Sequence, residues 1–208
     1  MKHLIRTGVV TGAALLGVST LSSCGGASSA PHLENRPTAT VTVAAAPPTV
    51  VPVMTPAAAP RHVGRPTRVV IPRIKVDEAL HGIGLKPDGA MQTPDFGDAA
   101  WYDLGPRPGA RGPAVIVAHV HGPAGDDVFA DLAKLRPGDR VTVRRTDGVG
   151  VFAVDAVEQN KKDSLPTKRI WSSTDQAVLR LITCGGTPDP VTRMYPENTV
   201  VYAHLISP

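Results

Sequence analysis

The chain has 208 residues and 42% hydrophobic content, but 21 prolines, 20 glycines and only 4% aromatic residues, which favours one modest folded domain plus an unfolded portion over two domains. The net charge of +4 is mild, and Lys and Arg are scattered with no basic stripe interleaved with aromatics, which argues against a nucleic-acid partner. Cys24 and Cys184 are the only cysteines, which excludes a disulfide framework and any Cys-x-x-Cys metal or redox motif.

The N-terminus reads as an export signal over residues 1–24. Met1-Lys-His-Leu-Ile-Arg6 is a basic start, and Val9 to Leu21 is an apolar stretch interrupted by Gly, Thr and Ser, short for a membrane span. Leu21-Ser-Ser-Cys24 directly behind it matches the bacterial lipobox, so cleavage before Cys24 and lipidation of its sulfur are expected. The alternative is an uncleaved signal-anchor. Both place the remainder on the extracytoplasmic face of the cell membrane, anchored through the N-terminus.

Residues 25–66 form a linker rich in Ala, Pro, Thr and Val, with Pro47-Pro48, Pro52, Pro56 and Pro60. Proline lacks a backbone donor and disfavours helix, so an extended, coreless tether reaching on the order of 100 Å is expected.

The folded domain is assigned to residues 67–208. Arg68 to Val76 opens it with a short strand that Pro72 ends early or confines to an edge. Leu85-Lys-Pro-Asp-Gly-Ala90 is a turn, and a turn-rich approach through Trp101-Tyr102 and Gly105-Pro-Arg-Pro-Gly109 leads to the apolar run Pro113 to His119. Asp126-Asp127 can cap a brief helix from Val128 to Leu135, closed by Pro137-Gly138. Arg140 to Arg145 and Val151 to Val157 read as a hairpin around Asp147-Gly148, and Lys161 to Trp171 as a polar loop. Val178 to Cys184 is a buried strand, and Thr199 to Ala203 supplies the last one. Many short strands, frequent turns and almost no helix make this an all-β barrel or sandwich.

The strand ending Leu181-Ile-Thr-Cys-Gly-Gly186 delivers a thiol at its end, and two glycines leave room beside the sulfur. An unpaired thiol in an oxidising compartment asks for a function. Near its reference pKa of about 8.5 a thiol is mostly protonated at neutral pH, so an attacking cysteine needs a partner that takes its proton. His119 ends the other apolar run, and the two meet if both runs reach one rim. His121 is a rival of matching spacing. The plainer reading of Cys184 is a buried core cysteine, which would leave a lipid-anchored binding module.

The ordered series Val69-Val-Ile-Pro-Arg-Ile-Lys-Val-Asp77, Gly84-Leu-Lys-Pro-Asp-Gly89, Ala100-Trp-Tyr102, Gly112-Pro-Ala-Val-Ile-Val-Ala-His-Val120, Leu181 to Gly186 and Tyr195 to Ala203 resembles the sortases, cysteine transpeptidases of Gram-positive bacteria, and is most like the actinobacterial class F group. The resemblance implies an eight-stranded β-barrel with one or two short helices and the site at one end. It implies that Cys184 attacks a Leu-Pro-x-Thr-Gly-like sorting signal to form a thioester, with His119 as proton partner. The partners it implies are surface proteins bearing a C-terminal sorting signal and an amine acceptor in a peptidoglycan precursor or a pilin. His121 stands where relatives commonly carry an acidic residue, which makes it a rim residue. Sortases also use an arginine to stabilise the oxyanion. The position just before the last strand holds Asn198, which leaves two candidates: Arg193, in the loop after Cys184, and Arg180, on the same strand face as the sulfur.

An L,D-transpeptidase would be another exported cysteine enzyme with a β fold, but the order Thr-Cys-Gly-Gly is not its signature. A hydrolase on the same scaffold differs only in preferring water to an amine. Leu165-Pro166-Thr167 lacks the Thr-Gly pair of a sorting signal, so self-cleavage there is not expected. His62, His81 and His204 are isolated, and Asp95, Asp98, Asp126 and Asp127 lack the alternation of a calcium loop, so neither metal nor cofactor is expected. The N-terminal reading has a direct check. Mass spectrometry of the membrane-extracted protein should find lipidated Cys24 as the first residue, and Cys24→Ala should block processing; a chain still beginning at Met1 contradicts the lipobox.

Overall fold

The computed structural model describes residues 62–208; the export signal, Cys24 and nearly all of the tether lie outside the described residues. Among the described residues ten strands form: β1 (Pro66–Ile71), β2 (Val76–Ile83), β3 (Ala99–Tyr102), β4 (Gly112–Ala118), β5 (His121–Gly122), β6 (Gly125–Asp126), β7 (Arg140–Arg145), β8 (Gly148–Lys161), β9 (Ala177–Gly185) and β10 (Glu197–Ser207). Eight of them close into a barrel in the order β1-β2-β3-β4-β9-β10-β8-β7, while β5 and β6 make a separate two-stranded ladder. The barrel of eight strands with few short helical turns is the one expected.

Alternation along the strands separates the inside of the barrel from the outside. In β9, Ala177, Leu179, Leu181, Thr183 and Gly185 are buried, while Val178, Arg180, Ile182 and Cys184 face outward and are half-buried. The interior is filled by side chains, Phe129, Phe152, Ile71, Ile116, Leu179 and Leu181 among the largest, as expected for a barrel of this strand number. A second, smaller cluster lies outside the barrel wall, where Ile170 packs on Val200 and Tyr202. Ile170 belongs to a five-residue helix, α1 (Thr167–Trp171), inside the stretch read as a polar loop. One turn of helix carries too little periodicity to show in sequence.

The proline reading holds, since β1 stops at Ile71 and Pro72–Ile74 form a 3-10 turn. The Asp147-Gly148 hairpin also forms, with Arg145 paired to Gly148. Asp147 in its tip accepts from the Gly64 backbone N–H at 2.6 Å and from Arg145 Nε at 3.0 Å, which ties the start of the domain to this turn. The helix expected from Val128 to Leu135 does not form; only a 3-10 turn, Leu132–Lys134, is present. The Asp127 carboxylate accepts from Val128 and from the distant Gly97 instead of capping a helical turn.

The interior gives a stability test. Phe152 is 0% exposed in the barrel core, so Phe152→Ala should cost roughly 3–5 kcal/mol in urea denaturation. Val149, in the same strand but 41% exposed, should give a Val149→Ala change within about 0.5 kcal/mol. Equal effects at the two positions would contradict the assignment of inside and outside.

Candidate active site

β4 and β9 run parallel with Val117 opposite Ile182, so both C-terminal ends reach the same rim. Carried on by two residues, this register sets His119 across from Cys184. Thr183 locks the junction: its hydroxyl, 5% exposed, donates to the Ala118 carbonyl at 2.8 Å. Because Thr183 points inward, its neighbour Cys184 must point outward, away from the packed core and toward substrate. On the other side Cys184 is paired with Asn198 of β10. Gly185 follows where an added Cβ would stand 2.6 Å from the Thr199 hydroxyl, and Gly186 turns the chain at φ +78°, a conformation most side chains resist.

Cys184, His119, His121 and Arg193 line one open cavity of about 350 Å³, together with Phe96, Lys162, Met194 and Tyr195. Two cavities of about 150 Å³ flank it and share the thiol. One is bounded by Pro94, Val117, Ile182 and Asn198, the other by Gln159, Gly186 and Thr199. Cys184 therefore stands where three approaches converge. The His119 Nε2 lies 2.9 Å from the Pro94 carbonyl oxygen, and the imidazole stacks at a tilt of 39° on Phe96 with centroids 4.5 Å apart. His121 is exposed on the β5–β6 ladder, with Nδ1 3.9 Å from Asp126.

The two candidate arginines separate. Arg193 reaches the cavity from the loop between β9 and β10, and its own φ is +59°, a left-handed conformation costly for a residue with a Cβ. Asp189 holds that loop. Its Oδ1 accepts from the backbone of Thr192 at 2.7 Å and Val191 at 3.0 Å and from the Thr192 hydroxyl at 3.0 Å, while the Arg193 N–H donates to the Asp189 carbonyl at 2.9 Å. The Thr192 backbone N–H foremost, then its hydroxyl and the Val191 N–H, hold the Asp189 carboxyl below the ordinary aspartate range. Arg180 shares the outward face of β9 with Cys184 but lines none of the three cavities. Its guanidinium lies 4.8 Å from the Tyr202 ring centroid and donates to the Leu179 carbonyl at 3.1 Å.

Phe96, Pro94 and Lys162 escaped the reading of the sequence. They sit in turn-rich or polar connections with no periodicity, and only the closed barrel brings them to the thiol. Among the described residues, no group of three or more His, Cys, Asp or Glu side chains is placed to share a metal ion.

Residues 69–206, well over half of the chain, match the model of the sortase domain family. No curated protein sequence matches the chain. Similar solved structures include sortase C1 of GBS pilus island 1 (21% identity, TM-score 0.52, covering 68% of this chain and 65% of that one) and sortase C1 from Streptococcus suis (20%, 0.53, 70% and 74%). A lid mutant of sortase A from Corynebacterium diphtheriae is similar to the same degree (18%, TM-score 0.54, 71% and 73%). The chain thus spans just under two thirds of the first of these structures, and at such identities the likeness carries the fold, whereas the match of the family model across the whole barrel carries the lineage. The chain belongs to the sortase family.

Proposed function

We propose that this chain is a membrane-anchored cysteine transpeptidase that cleaves a Leu-Pro-x-Thr-Gly-like sorting signal and joins the released protein to an amine of the cell wall or of a pilin. The observation that carries the reading is the convergence of Cys184, His119 and Arg193 on one open cavity. The N-terminal anchor, by lipid at Cys24 or by an uncleaved signal, belongs to the same proposal.

Each residue has a role suited to its chemistry. Cys184, as thiolate, attacks the scissile carbonyl carbon, forming a C–S bond and a tetrahedral oxyanion. Arg193 supplies fixed, permanently charged donors to that oxyanion. Collapse of the intermediate breaks the C–N bond, and the imidazolium of His119 gives its proton to the departing amine. A thioester remains on Cys184. The acceptor amine then attacks its carbonyl, His119 takes the amine's proton, and the C–S bond breaks to return the thiolate. The net reaction exchanges one amide for another, so no oxidant, metal or cofactor is required.

Mass spectrometry with a panel of sorting-signal peptides tests the scheme. Cys184→Ala should abolish thioester capture, His119→Ala should nearly abolish turnover, and His121→Ala should keep substantial activity. A dead His121→Ala beside an active His119→Ala reverses the two histidines. Arg193→Ala should lower turnover by at least about a hundredfold at unchanged stability, the scale of an oxyanion donor. A folded but inactive Arg180→Ala beside a normal Arg193→Ala moves the role to the strand.

The loop that presents Arg193 has its own pH signature. Since the folded-state pKa of Asp189 is depressed, its hold on the loop is complete above the ordinary value of 3.8 and is lost as pH falls through the lower folded value. Protease nicking within 187–196 should therefore increase in acid for the wild type. Asp189→Ala should be nicked readily at neutral pH, with turnover reduced on the order of tenfold through a misplaced Arg193. A variant as protected as wild type would show that Asp189 does not organise the loop.

A further inference from the structure

Between β2 and β3 the chain crosses directly over the imidazole of His119. Pro94 is buried, and its carbonyl lies 2.9 Å from His119 Nε2. A carbonyl oxygen only accepts, so Nε2 must carry the hydrogen. In the neutral ring, Nδ1 is then the bare nitrogen and the one able to take a proton. Two residues on, Phe96 is 57% exposed, an unusual place for a large aromatic, and its ring rests on the imidazole with centroids 4.5 Å apart.

This crossing segment is fastened to the turn that follows His119. The Gly97 N–H donates to both carboxylate oxygens of Asp127, at 3.1 and 3.2 Å. Asp127 is itself registered to the histidine's own stretch. Its N–H donates to the Val120 carbonyl at 3.3 Å, and the next residue but one, the fully buried Phe129, donates to the His119 carbonyl at 2.9 Å. The fit leaves no slack at Gly122, where an added Cβ would stand 2.8 Å from Asp127 Oδ2 and 3.1 Å from the Phe96 ring. A carbonyl and an aromatic ring from one short segment thus meet a single imidazole, and the Asp127 carboxylate holds that segment from the far side of the turn.

We propose that Pro94–Gly97 is a positioning strap. The Pro94 carbonyl fixes His119 as its Nε2–H tautomer, Phe96 and Asp127 are the positioning residues that keep that carbonyl in place, and Nδ1 is the nitrogen that exchanges the proton in the reaction. The proposal rests on His119 being the proton partner of the preceding section. A ring flip would put the carbon Cε1 where Nε2 stands and turn the N–H away from Pro94, and the strap prevents it. When the ring is charged, Nε2–H keeps its bond to Pro94, so only the Nδ1 proton is available to the departing amine.

The test uses the full chain labelled with ¹⁵N-histidine, with the His119 signals assigned by their absence in His119→Gln. Long-range ¹H–¹⁵N correlations of the neutral ring should show the Nε2–H tautomer alone in the wild type. Phe96→Ala and Asp127→Ala should each yield a mixture of tautomers, and Phe96→Tyr should restore the single form. On a sorting-signal peptide the two alanine variants should lose on the order of tenfold or more in kcat, a part of what a general acid–base contributes, with KM within about threefold. The Nδ1–H tautomer in the wild type overturns the proposal. So do alanine variants that lose turnover while retaining pure Nε2–H, which would make Phe96 a peptide contact instead. Should Phe96→Ala fail to fold by circular dichroism, Asp127→Ala and the wild-type spectrum still decide. The tautomer is read without peptide, so absence of turnover on every peptide would count against the proposed function and leave the spectrum to judge the strap.

Discussion

The parallel pairing of β4 with β9 is the constraint on which the site depends. Parallel strands end on the same side of a sheet, whereas an antiparallel pair would have sent His119 and Cys184 to opposite rims. Barrel closure then fixes the register, because a one-residue slip would turn Thr183 outward and drive Cys184 into the core. The Thr183 hydroxyl on the Ala118 carbonyl marks the point where the parallel ladder gives way to chemistry. Interior packing and reactive geometry are therefore set by the same alternation.

Beyond that rim, the working groups come from connections held by local polar contacts. Asp189 organises the loop that brings Arg193, and Asp127 anchors the segment that covers His119. Both use a carboxylate to collect backbone N–H groups from turns that would otherwise leave them without protein partners. Neither carboxylate lines the main cavity, whose charged and titratable side chains besides Cys184 itself are Lys162, Arg193, His119, His121 and Tyr195. That division agrees with the reaction proposed above, since a negative charge beside the thiol would oppose an oxyanion formed there while cationic and N–H groups would favour it.

Much of this was legible in the sequence because barrels impose strong alternation. The runs ending at His119 and Cys184, the break at Pro72 and the turn at Asp147-Gly148 all follow from period-2 burial and turn chemistry. What was not legible depends on contacts distant in sequence. Asp127 read as a helix cap because Gly97, its partner thirty residues away, could not be foreseen. β3 was hidden in a turn-rich approach because only four residues pair, and Ile170 looked like part of a polar loop until the wall of β10 covered it. Phe96 carried no signal, since an isolated aromatic between turns is usually just surface.

The two arginines, alike in the sequence, differ in burial and in what surrounds them. Arg180 and Cys184 share a strand face, but four residues of extended chain span about 13 Å, and Tyr202 stands opposite Arg180 on the neighbouring strand. The Tyr202 ring carries two guanidinium groups, Arg180 at 4.8 Å and Arg169 of α1 at 4.2 Å, and Arg169 also pairs with Glu158. Burial draws the Arg180 pKa down, the mark of a cation held away from water, and burial together with Glu158 pushes that of Tyr202 up. Arg180 is thus committed to the barrel wall, outside the three cavities that share the thiol, while Arg169, through Glu158 and the Tyr202 ring, is the cation that fastens α1 there. Arg193 is exposed, borne on a loop and held in a backbone conformation that side chains avoid, and it lines the same cavity as the sulfur, which is what favours it over Arg180 in the proposed role.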